Sequence, residues 1–490
     1  MTHLPSMNRR RFMQAAATTA TMASLADVLA ACSNTASSGK SKTATIKHWD
    51  FYVTQGPWVD NEIKLFQQAH PDIKIKKTTQ ANAQYDNLVA LAQRSTNIPD
   101  LALIPQTPTF YEQVKKNWWL PINKWADEKW RSRFPDLALH EGSNIFDGKL
   151  YSAPLNALAV PFQLYINNDV FRKAGLVNSD GSVKIPRTWD DVTHAAEAIT
   201  KKSGGQTYGL GFGNGSFPLL NWWLFIFLIG ADCPGGPGDL DLRTGKYTFA
   251  SNRNYADWIH LFKEWKTKNY IYPNSLTISD EVARAYFERG KFGMTVGGVW
   301  DQSEWKQHQF TDYSLTTLIT PNEKPESLFP VKPGGYTFAI STKTKYPDET
   351  FAWFDWLYSV EAGKRWVQMG EDLSIFPQNN KPEYNSFKPY SQYIATAKFS
   401  VTGPDPTIRN PDVSYVSPQP VTPAMNDILT GYYTGQVTDL QGALQTFQDK
   451  SQQALNDAIK LAQKQGHKVS ADDYIFSDWD PTKPYITRKK

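Results

Sequence analysis

Hydrophobic positions from Thr43 onward switch between two periods. Ala44 to Phe51 reads as a strand, and Ile73-Lys74-Ile75-Lys76 alternates as a second one. Between them Ile63, Leu65 and Phe66 recur at helical spacing until Pro71 ends the run. Tyr85 to Arg94 predicts another helix, and Leu101-Ala102-Leu103-Ile104 a buried strand closed by Pro105. This β-α-β-α-β run predicts an α/β lobe with a mostly parallel sheet.

The alternation resumes after Pro154. Phe162 to Asn167, Tyr208 to Phe212 and Phe292 to Gly297 read as strands, and Asp239 to Phe249 as a hairpin around Thr244-Gly245. Thr188 caps a helix, with Asp190 and Asp191 in its first turn, where the helix dipole favours carboxylates. Trp222 to Ile229 predicts a buried helix; Asn252 to Lys268 and Asp280 to Arg289 predict amphipathic ones. Gly334 to Ile340 reads as a further strand, followed by a helix near Pro347. The last long helix carries Leu440, Leu444, Phe447, Leu455 and Ile459 on one face. The Pro-, Tyr- and Asn-rich stretch at 377–425 reads as extra loop. No internal repeat stands out.

Residues 1–31 do not belong to this pattern. Arg9-Arg10-Arg11-Phe12 precedes a short, weakly apolar stretch from Ala15 to Ala31, which resembles a twin-arginine export signal. Leu29-Ala30-Ala31-Cys32 resembles a bacterial lipobox, which implies acylation at Cys32. Ser33 to Thr43 holds eleven residues, six of them Ser or Thr, as expected of a flexible tether reaching roughly 18 Å. An acylated Cys supplies more than one buried chain, so the expected mature body is anchored on the outer side of a membrane without a spanning helix.

Composition narrows the chemistry. The 52 Lys and Arg nearly balance the 48 Asp and Glu over 490 residues, so no broad basic face for nucleic acid is expected. Cys32 and Cys233 are the only cysteines, which excludes a disulfide framework and a thiolate zinc site. The eight His form no HExxH, so no catalytic metal and no cofactor are expected. Asp190-Asp191 is explained by the helix start. Asp239-x-Asp241 with Gly245 is too short for an EF-hand loop. The glycines at 209, 211, 213 and 215 do not make GxGxxG, no GxSxG is present, and Cys233 reads as an inert thiol. No catalytic constellation is predicted.

Several short pieces occur in a telling order: Ile98-Pro99-Asp100-Leu101; Phe146-Asp147-Gly148-Lys149-Leu150-Tyr151 with Pro154; Leu164 to Phe171 with Ala174-Gly175-Leu176; Pro186-Arg187-Thr188-Trp189-Asp190. Phe287-Glu288-Arg289-Gly290-Lys291-Phe292-Gly293-Met294 follows, before Gly298 and Trp300, then Gly334-Gly335 and Leu429-Thr430-Gly431. Together they resemble the family 1 extracellular solute-binding proteins of ABC importers, the group that includes maltose-binding protein. The resemblance covers most of 44–460. It implies an α/β, two-lobed periplasmic-binding-protein-like fold of type II, with one lobe at 44–158 plus 333–372 and the other at 159–332 plus 373–490. It also implies a monomeric, non-enzymatic receptor in the periplasm or on the outer cell surface. Such a receptor closes on a small solute, here a saccharide, and delivers it to ABC permease subunits.

Sugars present apolar C–H faces to aromatic rings and hydroxyl edges to polar side chains. In open α/β folds ligands sit beyond the strand carboxyl ends. Trp300 follows a strand and the pair Gly297-Gly298, on the family's pattern for a sugar-stacking Trp, with Asp301 beside it. Trp49 and Asp50 end the first strand; Gln106 and Thr107 follow the third. Asn156 and Tyr165 lie near the first implied crossover and Tyr336 at the second. Trp222 and Trp223 point about 100° apart on a helix, so one should face core and the other the cleft. Two alternatives are a non-sugar solute (a peptide, polyamine or metal chelate) and a secreted carbohydrate-active enzyme, which needs two carboxylates across one cleft.

Overall fold

The computed structural model describes residues 43–488 except Thr96, Leu158, Phe217, Pro237 and Asp239. The expected export segment, Cys32 and the tether up to Lys42 lie outside the described residues. Among the described residues twelve strands run in chain order: β1 (Ala44–Asp50), β2 (Ile73–Thr79), β3 (Leu101–Leu103), β4 (Ile145–Phe146), β5 (Lys149–Leu150), β6 (Phe162–Asn167), β7 (Tyr208–Leu210), β8 (Phe292–Gly298), β9 (Tyr313–Thr316), β10 (Phe329–Val331), β11 (Phe338–Ile340) and β12 (Ser400–Thr402). Two four-stranded sheets organise the chain, ordered β11-β3-β1-β2 and β7-β8-β6-β9.

The first sheet forms where the alternation predicts it. β1 buries Ala44, Ile46, His48 and Asp50 on one face and pairs in parallel with β2 and β3. Helix Gly56–Ala69 covers it with Trp58, Val59 and Phe66, and helix Pro347–Leu357 with Trp353, Phe354 and Leu357. The second sheet is mixed, not mostly parallel: β7 and β8 are parallel, while β6 runs antiparallel to both β8 and β9. The reason lies in where the chain enters. β6 and β11 each arrive from the opposite sheet, so they start where neighbouring strands end: Phe162 faces Gly298, and Phe338 faces Leu103. Local αβ patterning carries no information about such crossings.

Helix Trp189–Lys202 begins with a capping box. Thr188 Oγ1 accepts from Asp191 N at 3.0 Å, and Asp191 Oδ2 accepts from Thr188 N at 3.1 Å, so the acidic pair has a structural role. The expected hairpin at 239–249 reduces to one bridge, Asp241 to Lys246. The stretch 377–425 is not plain loop: it holds helix Lys388–Ala395, β12, helix Pro406–Arg409 and several single turns. Helix Leu440–Lys464 packs Leu455 and Ile459 against Val413, Tyr474, Phe476 and Trp479, a fourth hydrophobic cluster built on the C-terminal tail. Among the described residues no helix is long and apolar enough to cross a membrane.

Candidate functional site

Three segments pass side by side between the sheets. The first and third are laced together: Ala157 N donates to Leu373 O at 3.0 Å and Ile375 N to Leu155 O at 3.2 Å. The second is tied to its neighbours by Leu155 N to Thr337 Oγ1 at 3.0 Å and Asn144 Nδ2 to Gly335 O at 2.7 Å. The strand ends on either side of this crossing are the places to look for ligand chemistry.

At the second sheet, β8 ends in Gly297-Gly298 and runs directly into helix Val299–Gln307. The glycines are required by what folds back over them. A Cβ on Gly298 would fall 2.2 Å from the Trp300 ring, and one on Gly297 would fall 1.8 Å from Asp301 Oδ2. Trp300 is half-buried and meets Trp222 edge-on, with ring centroids 5.4 Å apart. Phe162 stacks on Trp222 at 4.8 Å and meets Trp300 edge-on at 6.1 Å. Phe162, Trp222 and Trp300 thus make a contiguous aromatic platform.

Its foundations come from other expected site residues. Tyr165 is fully buried against Trp305, and its hydroxyl donates to Gly298 O at 2.7 Å. Trp223 is buried and stacks on Phe227, so the adjacent pair divides between platform and core. Asp301 is buried 3.4 Å from Arg284 Nη1; the same guanidinium holds Asp280 and, at 2.8 Å, Glu304. Burial pushes the Asp301 carboxyl well above the usual carboxylate range and Asp280 to about 6, with Arg284 opposing both.

At the first sheet the end of β1 is polar. Asp50 is fully buried and bonds His48 Nε2 at 3.0 Å and Tyr52 N at 3.2 Å. Trp353 Nε1 donates to His48 Nδ1 at 3.1 Å, which leaves Nε2 as the donor to Asp50. Trp49 is half-buried, and its carbonyl accepts from Tyr85. Gln106 and Thr107 are exposed, their backbone amides gathered on Asp86 at 3.1 and 2.9 Å. Tyr336 is 43% exposed and lies against buried Phe110, ring centroids 4.5 Å apart.

Asn156 is half-buried at the crossing and donates to Asp372 Oδ2 at 2.9 Å. Asp372 also accepts from Tyr393 Oη at 2.5 Å, and its carbonyl from Tyr390 Oη at 2.7 Å. Glu371 accepts from Ser303 Oγ at 2.8 Å. Burial raises Asp372 to about 6 and Glu371 to about 7. The Tyr52 ring packs against Phe338 and Trp366, with centroids 5.9 and 6.0 Å away, and burial raises its hydroxyl well above its ordinary value. Sequence reasoning singled out none of Tyr52, Phe162, Glu371 or Asp372. One signal was available: Glu371 and Asp372 follow a helix carboxyl end, capped by left-handed Gly370, where the dipole disfavours acids.

Two cavities adjoin the segment 329–336. One, about 330 Å³, is lined by Pro161, Phe225, Phe329, Lys332 and Trp479 among others; Phe225 lies 5.3 Å from Phe162. The next, about 340 Å³, shares Leu240, Leu242 and Lys332 with it and reaches Phe110, Tyr111 and Tyr336. Among the described residues no group of three or more His, Cys, Asp or Glu is placed to hold a metal ion. Cys233 is buried, and burial pushes its thiol well up. The arrangement offers ring faces beside hydrogen-bonding groups, the combination a polyhydroxylated ligand requires.

Residues 52–364 match the family model of the bacterial extracellular solute-binding proteins. The chain belongs to that family. This solute-binding protein is 29% identical over 182 residues to the arabinooligosaccharide-binding protein of Bacillus subtilis (strain 168), a match covering 36% of this chain and 40% of that one. The aligned part therefore spans less than half of that relative's length. The GacH receptor of Streptomyces glaucescens GLA.O, solved unliganded and with acarbose, superposes with a TM-score of 0.63 at 16% identity, covering 85% of this chain and 99% of that one. An ABC transporter solute-binding protein of Thermotoga lettingae TMO, solved with α-D-tagatose, superposes at 0.62 and 19% identity, covering 84% and 100%. The two-lobed fold of such receptors is thereby that of this solute-binding protein, and the family is one of binding proteins.

Proposed function

We propose that this solute-binding protein is the receptor of an ABC importer and captures a saccharide between its lobes. The observation that carries the reading is the platform of Phe162, Trp222 and Trp300 at the end of β8, facing a crossing rich in hydroxyl, amide and carboxyl groups. The sugars and sugar mimic named for its relatives support it. Trp300, Trp222, Phe162, Tyr336 and Asn156 would touch ligand, and Tyr165, Trp223 and Asp301 would hold the platform in place. The lobes take 44–158 with 333–372 and 159–332 with 373–490. They would close by rotation about the three crossing segments, ligand biasing the closed state only by its differential affinity for it. The receptor works as a monomer, anchored outside the membrane through acylated Cys32, and passes its cargo to permease subunits unchanged. Replacing Cys32 with Ala should move the protein from the membrane fraction to the soluble one.

The test is a thermal-shift screen against mono- and oligosaccharides, sugar alcohols, peptides and polyamines, followed by calorimetry and recovery of the ligand. A native-state ligand raises the midpoint by mass action. One saccharide bound per chain and recovered intact is the expected result. Binding confined to peptides or amines would overturn the sugar reading, and recovery of cleaved sugar would replace the receptor by an enzyme.

A further inference from the structure

The extra stretch contains a strap, residues 404–416, that crosses from one side of the cleft to the other. It is fixed to the C-terminal tail. Arg409 Nη1 donates to Ile475 O at 2.5 Å, and its guanidinium lies over Phe476, 3.4 Å from the ring centroid. Asn410 Nδ2 donates to Lys468 O at 2.7 Å and Asp473 Oδ2 at 2.8 Å, and Asp412 accepts from Lys468 N at 2.6 Å. Val413 joins Leu242, Leu455 and Tyr474 in the tail's own hydrophobic cluster. These contacts join strap and tail to the side of the molecule that carries Leu242.

The strap's other face meets the first sheet's side. Thr407 Oγ1 lies 3.4 Å from His140 Nε2, and Asp405 Oδ2 lies 3.6 Å from the same nitrogen. Tyr415 meets Tyr111 edge-on at 4.3 Å and stacks on His467 at 3.5 Å. Gly142, with a φ of +86°, lets the strap approach: a Cβ there would stand 3.0 Å from Thr407 Cβ and 3.4 Å from Pro411 O. Between these contacts lies the 340 Å³ cavity. Its lining draws on the first sheet's side (Phe110, Tyr111), the second crossing (Lys332 to Tyr336), Leu240 and Leu242, and the strap itself (Asp405 to Thr407, Val413, Ser414). That volume is at the low end for a small-molecule site, about 300–1,000 Å³.

We propose that the strap is a third wall that closes one end of the ligand cleft, so that the receptor recognises a saccharide by its chain end and rejects cyclic or internally bound chains. This rests on the saccharide reading and deepens it. A cleft walled by two lobes alone lets a chain run out at both sides. With Thr407 and Tyr415 seated on the opposite lobe, a chain entering along the platform meets the strap and must terminate there. A bulky group on that terminus has no room, whereas the same group on the far terminus extends outward.

The probes are linear arabino-, xylo-, malto- and chito-oligosaccharides, each free, carrying 2-aminobenzamide on the reducing end, or carrying a benzylidene group on the non-reducing end. Calorimetry on the full chain should show one of the two capped forms of a binding saccharide about tenfold weaker or worse, about 1.4 kcal/mol, with the other near the free sugar. A Thr407→Ala, Tyr415→Ala double variant should bring the two capped forms together. Both capped forms binding as well as the free saccharide in the wild-type protein would overturn the wall and leave the saccharide reading standing. A folded double variant that discriminates as before would also overturn it. If the double variant does not fold, the wild-type comparison alone decides. Failure of every free oligosaccharide to bind would overturn the reading beneath.

Discussion

The two strand ends that face each other across the crossing solve one problem by different means. Each buries a carboxylate next to an aromatic residue. At the end of β1, Asp50 is held by a histidine ring and a backbone amide, with Trp353 fixing the tautomer behind them. At the end of β8, Asp301 shares one arginine with Asp280 and Glu304, so acid outnumbers base. The first arrangement is locally satisfied and leaves an amide- and hydroxyl-rich rim at Gln106 and Thr107. The second clamps the first turn of helix Val299–Gln307 onto the strand and so lays Trp300 over Gly298. On the proposed saccharide reading, the first strand end would offer hydroxyl edges their partners and the second would offer ring faces, and a sugar needs both.

The clamp should be the more fragile of the two. Arg284 is almost wholly buried. Replacing it with Met leaves three acids without their cation, and removing one partner of a buried pair costs about 3–5 kcal/mol. Urea unfolding of Arg284→Met should show that loss together with weakened ligand binding. A variant destabilised by less than about 1 kcal/mol would mean the acids are relieved by other means.

The acid excess also predicts an asymmetry in pH. Asp280, Asp372 and Glu371 carry folded-state values of about 6, 6 and 7, above the unfolded carboxylate range of about 4. Between those limits the native state holds protons that the unfolded chain has released. The stability these three groups contribute therefore falls as pH rises from about 4 to about 7, and is flat above, where they are ionised in both states. Each group accounts for a loss on the order of 3 kcal/mol across that range, since a tenfold difference in proton affinity between the two states is worth about 1.4 kcal/mol. Denaturation midpoints measured across that range should rise on acidification, and Asp372→Asn should flatten the slope. A slope unchanged in Asp372→Asn would remove this residue from the account.

How much of this was legible depends on range. β1, β2, β6, β8 and the capped helix at Trp189 were legible because alternation, Thr188 and its acids act within a few residues. The mixed direction of the second sheet was not, since it follows from chain crossings hundreds of residues apart. Trp300 could be singled out from the glycine pair before it, although the group those glycines admit is Trp300's own ring and Asp301. Phe162 looked like one more strand residue, and its role arises only when Trp222 packs on it. Asp301, Tyr165 and Trp223 carried the right residue types, but side-chain type does not report burial. The stretch 377–425 read as loop because its Pro-rich turns lack periodicity; its order comes from the tail that arrives later in the chain.

Removing the face without disturbing the clamp is the next sharpest contrast. Trp300→Ala should weaken saccharide binding by about 1–3 kcal/mol, the scale of a lost aromatic contact and its buried area. Calorimetry gives the affinity, and the melting temperature of the unliganded variant gives the control. Normal binding would assign the face to Trp222 and Phe162, and outright unfolding would return Trp300 to a packing role.

The smallest effect belongs to the rim. Asp86 gathers three donors, the amides of Gln106 and Thr107 and the Thr107 hydroxyl at 2.7 Å, and so fixes the turn that follows β3. These bonds are exposed, so water replaces each of them at little net cost, well below the about 0.5–1.5 kcal/mol of a typical intramolecular hydrogen bond. Asp86→Ala should therefore leave unfolding free energy nearly unchanged. Its effect on ligand should be entropic: the freed turn must be reordered each time the cleft closes on a sugar edge, lowering affinity by about 1 kcal/mol or less. Gln106→Ala in the wild-type background removes the side chain without freeing the turn. If the rim works through hydrogen bonds from the Gln106 side chain, Gln106→Ala weakens binding as much as Asp86→Ala does. If it works through a pre-ordered backbone, only Asp86→Ala does. Neither variant changing affinity would leave the first lobe's contribution to Tyr52 and Tyr336, and the contrast between edges and faces would then rest on the crossing alone.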